Sequence, residues 1–212
     1  YIEQMIKLMP EVRLQQESLA IGIAGHWGSG KSTFLRQMQA QMNKEEYRTV
    51  CFNPWTCTDK AQIVTQFFAL LQEQALADEG HFYEDLEQYR DMVLNMEIHP
   101  VLTNLAKLLP LRKETATIAS LRGRIERALV GESDKPFAIF IDDLDRLEGD
   151  ELFEVLRLIR VTANFRHVVF VVAYDRGYVS HVLNESKNMD RAEEYLQKIF
   201  HLEVTLPKYE ED

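Results

Sequence analysis

Apolar positions along this chain fall into two patterns. One is the short unbroken run, seen in Leu19-Ala20-Ile21-Gly22-Ile23-Ala24, in Phe137-Ala138-Ile139-Phe140-Ile141 and in Val168-Val169-Phe170-Val171-Val172-Ala173 after His167. Runs this short, rich in β-branched and aromatic residues, predict strands buried on both faces, as in a parallel sheet. Arg48-Thr49-Val50-Cys51-Phe52 and Leu202-Glu203-Val204-Thr205-Leu206 predict two further strands, closed by Pro54 and Pro207. The other pattern is helical spacing. Residues 1–17 put Ile2, Met5, Ile6 and Met9 on one stripe, and residues 59–79 do so with Ile63, Phe67, Phe68, Leu71 and Leu76. Helices are also expected over 31–43, 150–163 and 191–200. Residues 81–131 read as helical segments punctuated by Pro100 and Pro110, with few strand signals.

Strands alternating with helices predict a three-layer α/β fold around a mainly parallel five-stranded sheet, with right-handed crossovers. The chain is expected to be a single domain over residues 1–212, with residues 80–131 as a helical insertion. It starts on Tyr1 and stops in Tyr209-Glu210-Glu211-Asp212, which reads as a piece of a longer polypeptide. No run of eighteen apolar residues occurs, so no membrane-spanning segment is expected in this chain.

The chemistry sits where the strands end. Gly25-His26-Trp27-Gly28-Ser29-Gly30-Lys31-Ser32 follows the first strand and opens a helix. It fits G-x-x-x-x-G-K-[ST] without a mismatch, and a chance match in a chain of this length is on the order of 1%. Gly25, Gly28 and Gly30 allow backbone shapes closed to other residues, so that N–H groups converge on phosphates. Lys31 is expected to reach the β and γ oxygens, and Ser32 to offer its hydroxyl to Mg²⁺. The nucleotide-binding set is completed by His26, Trp27, Ser29 and Thr33. Trp27 packs beside the nucleotide or on the adjoining loop, and neither it nor His26 is needed to cradle phosphate.

The third strand ends in Asp142-Asp143. Open α/β sheets bind ligands at the carboxyl ends of their strands, so Asp142 is expected to hold Mg²⁺, largely through water. Asp143 is placed to orient or deprotonate the attacking water. Asp145 and Arg146 follow. Asp145 caps or pairs locally; Arg146 neutralises the carboxylates, contacts a nucleotide or reaches a neighbouring subunit. The fourth strand ends in Tyr174-Asp175-Arg176, where Asp175 is a candidate γ-phosphate sensor, a helix N-cap, or both. Arg157, Arg160 and Arg166 are candidates for an arginine finger, though a surface role suits each of them better.

Composition narrows the field. Apolar residues make up 46% and charged residues 27% of the chain, the balance of an ordinary globular protein. The net charge of −10 argues against non-specific binding to nucleic acid, which rests on cationic contacts. The basic stretch Leu121-Arg122-Gly123-Arg124-Ile125-Glu126-Arg127 reads as a solvated helix face. Cys51 and Cys57 are too few for a disulfide framework or a zinc site, and reduced thiols fit a cytoplasmic protein.

Five segments in order resemble one family. They are Ile21 to Thr33, Phe52-Asn53-Pro54-Trp55, Ile141-Asp142-Asp143-Leu144-Asp145-Arg146, Ala173-Tyr174-Asp175-Arg176 and Tyr195-Leu196-Gln197-Lys198-Ile199-Phe200. Together these look like the KAP family of P-loop NTPases, over residues 18 to 207. The resemblance implies a P-loop ATPase of the additional-strand class with a catalytic acid beside the Mg²⁺ acid, so that ATP and Mg²⁺ would be its ligands. It implies that Asn53-Pro54-Trp55 is a signature near the site. Many family members carry membrane helices between the two nucleotide motifs; here residues 80–131 are polar and amphipathic, which fits a soluble member. Bacterial relatives often occur in anti-phage defence, so the resemblance implies a sensor or assembly switch acting as a homo-oligomer or with partner proteins of a defence complex. Two rivals stand beside hydrolysis: a nucleotide-dependent signalling scaffold with little turnover, and a small-molecule kinase. The absence of a guanine-reading N-K-x-D stretch favours ATP over GTP.

Overall fold

The computed structural model describes residues 2–7, 17–45, 47–74, 80–98, 117–130, 135–187, 189 and 191–207. Its strands are β1 (Leu19–Ala24), β2 (Arg48–Phe52), β3 (Phe137–Ile141), β4 (Val168–Tyr174) and β5 (Leu202–Thr205). They form one sheet in the order β2-β3-β4-β1-β5, and every ladder is parallel. The order explains the two kinds of strand sequence. β1, β3 and β4 are central and covered on both faces, so their residues are nearly all apolar. β2 and β5 are edges, and there Cys51, Leu202 and Thr205 face solvent.

The helices are α1 (Ile2–Lys7), α2 (Lys31–Lys44), α3 (Lys60–Gln74), α4 (Gly80–Ile98), α5 (Ile118–Val130), α6 (Gly149–Arg157), α7 (Arg176–Lys187) and α8 (Ala192–Gln197). The period-two alternation of each strand divides them into two layers. Ile21, Ile23, Ala138, Phe140, Val169 and Val171 point to α1 and α2, where Leu35, Met38 and Met42 meet them. Ala20, Phe137, Ile139, Ile141, Phe170 and Val172 point the other way, into a larger core with α3 to α8. The expected three-layer arrangement is what the chain adopts.

In that larger core Phe67 lies edge-on to Phe52 at 5.4 Å and stacked on Phe170 at 6.2 Å. It joins α3 to β2 and β4 and is fully buried. Phe67→Ala is expected to cost roughly 3–5 kcal/mol, read as a lower urea midpoint at unchanged slope. Helices α4 and α5 share this core through Phe82, Leu86, Tyr89 and Ile125. Arg124 of α5 makes two 2.6 Å bonds to Asp85 of α4, and the Tyr89 hydroxyl donates to the Thr162 carbonyl at 2.8 Å. Arg122 bonds Glu126 at 3.0 Å and also reaches the Asn164 carbonyl. Two arginines of the basic stretch are therefore engaged within the chain.

The structure departs from the sequence reading in three places. The helix expected over 150–163 is α-helical only to Arg157, then widens to a π-turn over Leu158–Thr162. Ala163 N–H closes that turn on Leu158 O at 2.8 Å, which keeps Ile159 and Thr162 buried together. Helix α7 was foreshadowed only by the capping role open to Asp175, because Val179 and Leu183 supply a thin apolar stripe. The last helix is also shorter than 191–200. Much of the helix expected over 1–17, and the stretch holding Pro100 and Pro110, lie outside the described residues. Among the described residues no helix is long and apolar enough to cross a membrane.

Candidate functional site: a phosphate loop facing a carboxylate turn

The loop begins where Gly25 N–H, at the end of β1, bonds Tyr174 O of β4 at 3.1 Å. Ser29 N–H returns to His26 O at 3.1 Å and turns the loop. Gly28 (φ 80°) and Gly30 (φ 86°) take left-handed conformations that side chains disfavour. Gly30 caps α2, whose first turn therefore points its N–H groups at the space above the loop. Gly25 is glycine for a different reason: a Cβ there would lie 2.3 Å from Ser29 Oγ.

Lys31 folds back across this loop. Its Nζ donates to Gly25 O at 2.9 Å and His26 O at 3.2 Å, and pairs with Asp145 Oδ2 at 3.3 Å. Both side chains of the pair are almost buried, at 9% and 7% exposure. The sequence reading has Asp145 capping or pairing locally; the partner observed is instead the loop lysine, far away along the chain.

Asp145 arrives there through a tight turn after β3. Asp142 Oδ1 accepts Asp143 N–H at 2.9 Å. Asp143 is left-handed (φ 58°, ψ 33°) and opens a 3-10 turn over Leu144–Arg146. Leu144 and Leu147 plug into the core, which holds the polar residues of the turn at the sheet edge. Asp143 is strained, and burial, with the Asp142 carboxylate next in effect, pushes its pKa up from the ordinary value. Arg146 offsets part of this through Nε, 3.2 Å from Asp143 Oδ1.

The loop and the turn face each other across a cavity of about 300 Å³. Gly28, Gly30, Lys31, Ser32 and Thr33 line it from one side and Asp143, Asp145 and Arg146 from the other, with Trp27 also on its wall. An adjoining cavity is lined by Ser32, Asp142, Asp143 and Asn53. Among the described residues no three His, Cys, Asp or Glu side chains form a ready metal cluster. An Mg²⁺ ion held by one hydroxyl, one carboxylate and phosphate oxygens requires none, and Ser32 and Asp142 on one cavity fit that donor set.

The KAP family P-loop domain matches residues 1–211. The chain belongs to this family. A curated relative, the phage T7 exclusion protein of Escherichia coli strain K12, is 26% identical across 92% of this chain. The chain spans 31% of that relative's length. Among solved structures, a chain of Drosophila ORC bound to GC-rich DNA and Cdc6 aligns with TM-score 0.54 and 10% identity, covering 98% of this chain and 28% of that one. Cdc6p of Pyrobaculum aerophilum aligns with TM-score 0.50 and 14% identity, covering 98% and 44%. At such identities these likenesses speak to the fold alone.

The position of β4 in this KAP domain, between β1 and β3, is that of the additional-strand P-loop class. It brings Asp175 against the phosphate loop, where its Oδ2 lies 3.2 Å from His26 Nδ1. Asp175 Oδ1 also accepts Tyr178 N–H at 3.1 Å, capping α7. Asp175 lines a third cavity with Gly25 and His26, on a different side of the loop from Lys31. Arg157 pairs with Glu154 at 2.7 Å, Arg160 lies 5.7 Å over Tyr195, and Arg166 pairs with Glu126 at 3.5 Å. None of these three lines the cavity at Lys31.

The resemblance puts Asn53-Pro54-Trp55 near the site, and what it leaves open is the role of Trp55. Asn53 Oδ1 accepts Trp55 N–H at 3.2 Å, and buried Pro54 starts a 3-10 turn. That turn projects Trp55 towards Arg146, and Arg146 in turn lies over Trp27. The available signal was that all three segments follow the carboxyl end of a parallel strand. Their meeting depends on the two 3-10 turns.

Proposed function

We propose that this KAP domain binds Mg-ATP on the 25–32 loop and hydrolyses it, and that turnover works a conformational or assembly switch in a bacterial anti-phage defence protein. The observation that carries the hydrolytic reading is the placement of Lys31 and Asp143 on one cavity, with Ser32 on both that cavity and the one Asp142 lines. The name of the curated phage exclusion relative supports the defence setting.

In this reading the N–H groups of residues 28–33 and the Lys31 ammonium take the β- and γ-phosphate oxygens. Ser32 and Asp142 would hold Mg²⁺, which would supply positive charge to the phosphate oxygens. Asp143 accepts a proton from water as the water oxygen bonds the γ-phosphorus and the bond to the β–γ bridging oxygen breaks. ADP and inorganic phosphate leave, and the proton passes to solvent. Asp175, through His26, is positioned to register changes in the loop. An acid with a raised pKa is the better base, so the environment of Asp143 supports its assignment as the base.

Phosphate release by the purified chain tests the proposal. Steady release from ATP, lost on chelation of Mg²⁺ and restored by adding it back, is the expected result. Nucleotide binding with no phosphate release in any oligomeric state would leave the scaffold reading in its place, and a phosphorylated small molecule in place of free phosphate would leave the kinase.

A further inference from the structure

The whole chain contains two tryptophans, Trp27 and Trp55, and one guanidinium lies against both. Arg146 Cζ is 5.5 Å from the Trp27 ring centroid and 5.1 Å from that of Trp55. The three residues come from the phosphate loop, the turn after β2 and the turn after β3. Both indoles are largely in solvent, at 75% and 53% exposure, so the core does not account for their being tryptophan. Their faces do account for where Arg146 sits. A guanidinium stacks flat on aromatic rings and keeps its N–H edge free for bidentate contacts. That edge now meets Asp143 at 3.2 Å, and Arg146 lines the same cavity as Lys31, Ser32 and Thr33.

We propose that Arg146 is the site's own transition-state arginine, supplied in cis: with ATP bound it contacts the γ-phosphate, and Trp27 and Trp55 hold it there between their rings. This rests on the hydrolytic reading above. Without nucleotide, Arg146 rests against the Asp143 carboxylate. A terminal phosphate in the cavity presents a larger, bidentate-competent anion within reach of the same guanidinium. Transfer of Arg146 to that phosphate places positive charge where negative charge grows as water attacks and ADP departs. ADP lacks the γ-phosphate and leaves Arg146 on Asp143. The two tryptophans are positioning residues: they touch Arg146, and their exposed flat faces fix its plane.

Because both tryptophans flank Arg146, intrinsic indole emission reports on it directly. The experiment follows this emission in the full chain during titration with ADP and with a non-hydrolysable ATP analogue, while calorimetry measures binding of each separately. The analogue is expected to shift the emission and ADP to leave it near the nucleotide-free value. Arg146→Ala should erase that difference, keep ADP affinity within about twofold, and lower kcat at least ~100-fold, as for loss of other phosphoryl-transfer arginines. Arg146→Lys, which keeps charge without the planar fork, should restore little. Trp55→Ala should lower kcat with KM little changed, and Trp55→Phe should restore most of it. Equal emission responses to ADP and the analogue, or wild-type kcat in both Arg146 variants, would overturn the assignment while leaving the ATPase reading standing. Failure of any nucleotide to bind would overturn both.

Discussion

Lys31→Ala is expected to abolish useful nucleotide affinity, and to destabilise the fold as it does so. The lysine lies across the loop, bonded to two carbonyls and to Asp145. In the nucleotide complex it would exchange the carbonyls for phosphate oxygens. Two charge-assisted bonds, worth about 1.5–3 kcal/mol each, correspond to a loss of ~100-fold or more in affinity. The loss is deepened by Asp145. With 7% of its side chain exposed, it would face the incoming phosphates as an uncompensated negative charge. The same orphaned carboxylate carries the stability effect, expected at roughly 1–3 kcal/mol. The double variant Lys31→Ala/Asp145→Asn separates the two consequences. It should recover most of the urea midpoint, since no charge is left unpaired, and recover little of the ATP affinity. Calorimetric ATP affinity within threefold of wild type in Lys31→Ala would remove Lys31 from the phosphate site. Additive effects of the two substitutions on stability would mean that the ion pair contributes nothing.

Asp145 illustrates what the sequence could and could not say. Its position after the third strand placed it at the binding edge, but capping and pairing stayed equally open. The choice is made by the 3-10 turn, in which Leu144 turns into the core and Asp145 turns towards Lys31. Sequence periodicity carries no record of such a turn, because three residues are too few to show one. The central strands were legible because an unbroken apolar run such as Val168 to Ala173 has few alternatives once turn residues bound it. The phosphate loop was legible because its glycines and lysine must stand at fixed spacing to do their work. Helix α7 was less so. Only Val179, Leu183 and partly buried Val182 mark its inner face, and the remaining positions are polar or small. The π-turn at Leu158–Thr162 responds to tertiary demands, where Thr162 O meets the Tyr89 hydroxyl from α4. The clamp of Trp27 and Trp55 on Arg146 lay furthest from reach. Each residue stood in a recognisable segment, yet their contact spans separate strands and rests on the aim of two short turns.

Asp143→Asn is expected to cut turnover by about 10²–10⁴-fold, the usual contribution of a positioned general base, while ATP still binds. The substitution is mild in every other respect. Asparagine accepts the left-handed backbone that Asp143 holds at φ 58°, and it keeps the size of the side chain. Charge is what changes. Burial, Asp142 and Asp145 all disfavour ionised Asp143, and together they outweigh Arg146, so its pKa is raised from 3.8. A carboxyl group with a raised pKa in the folded state favours folding below its ordinary pKa. That contribution is lost as pH rises through the folded-state value. At neutral pH the ionised side chain therefore works against the fold, and the neutral amide should leave the melting temperature equal to or above that of the wild type. The gap should close as pH falls towards the folded-state pKa of Asp143, where the wild-type side chain becomes neutral too. Turnover should follow the opposite course: it needs the carboxylate, and should fall on acidification. A variant that turns over within tenfold of wild type would shift the base role elsewhere. One that melts well below wild type at neutral pH would mean that the Asp143 carboxylate, with its Arg146 contact, holds the turn together.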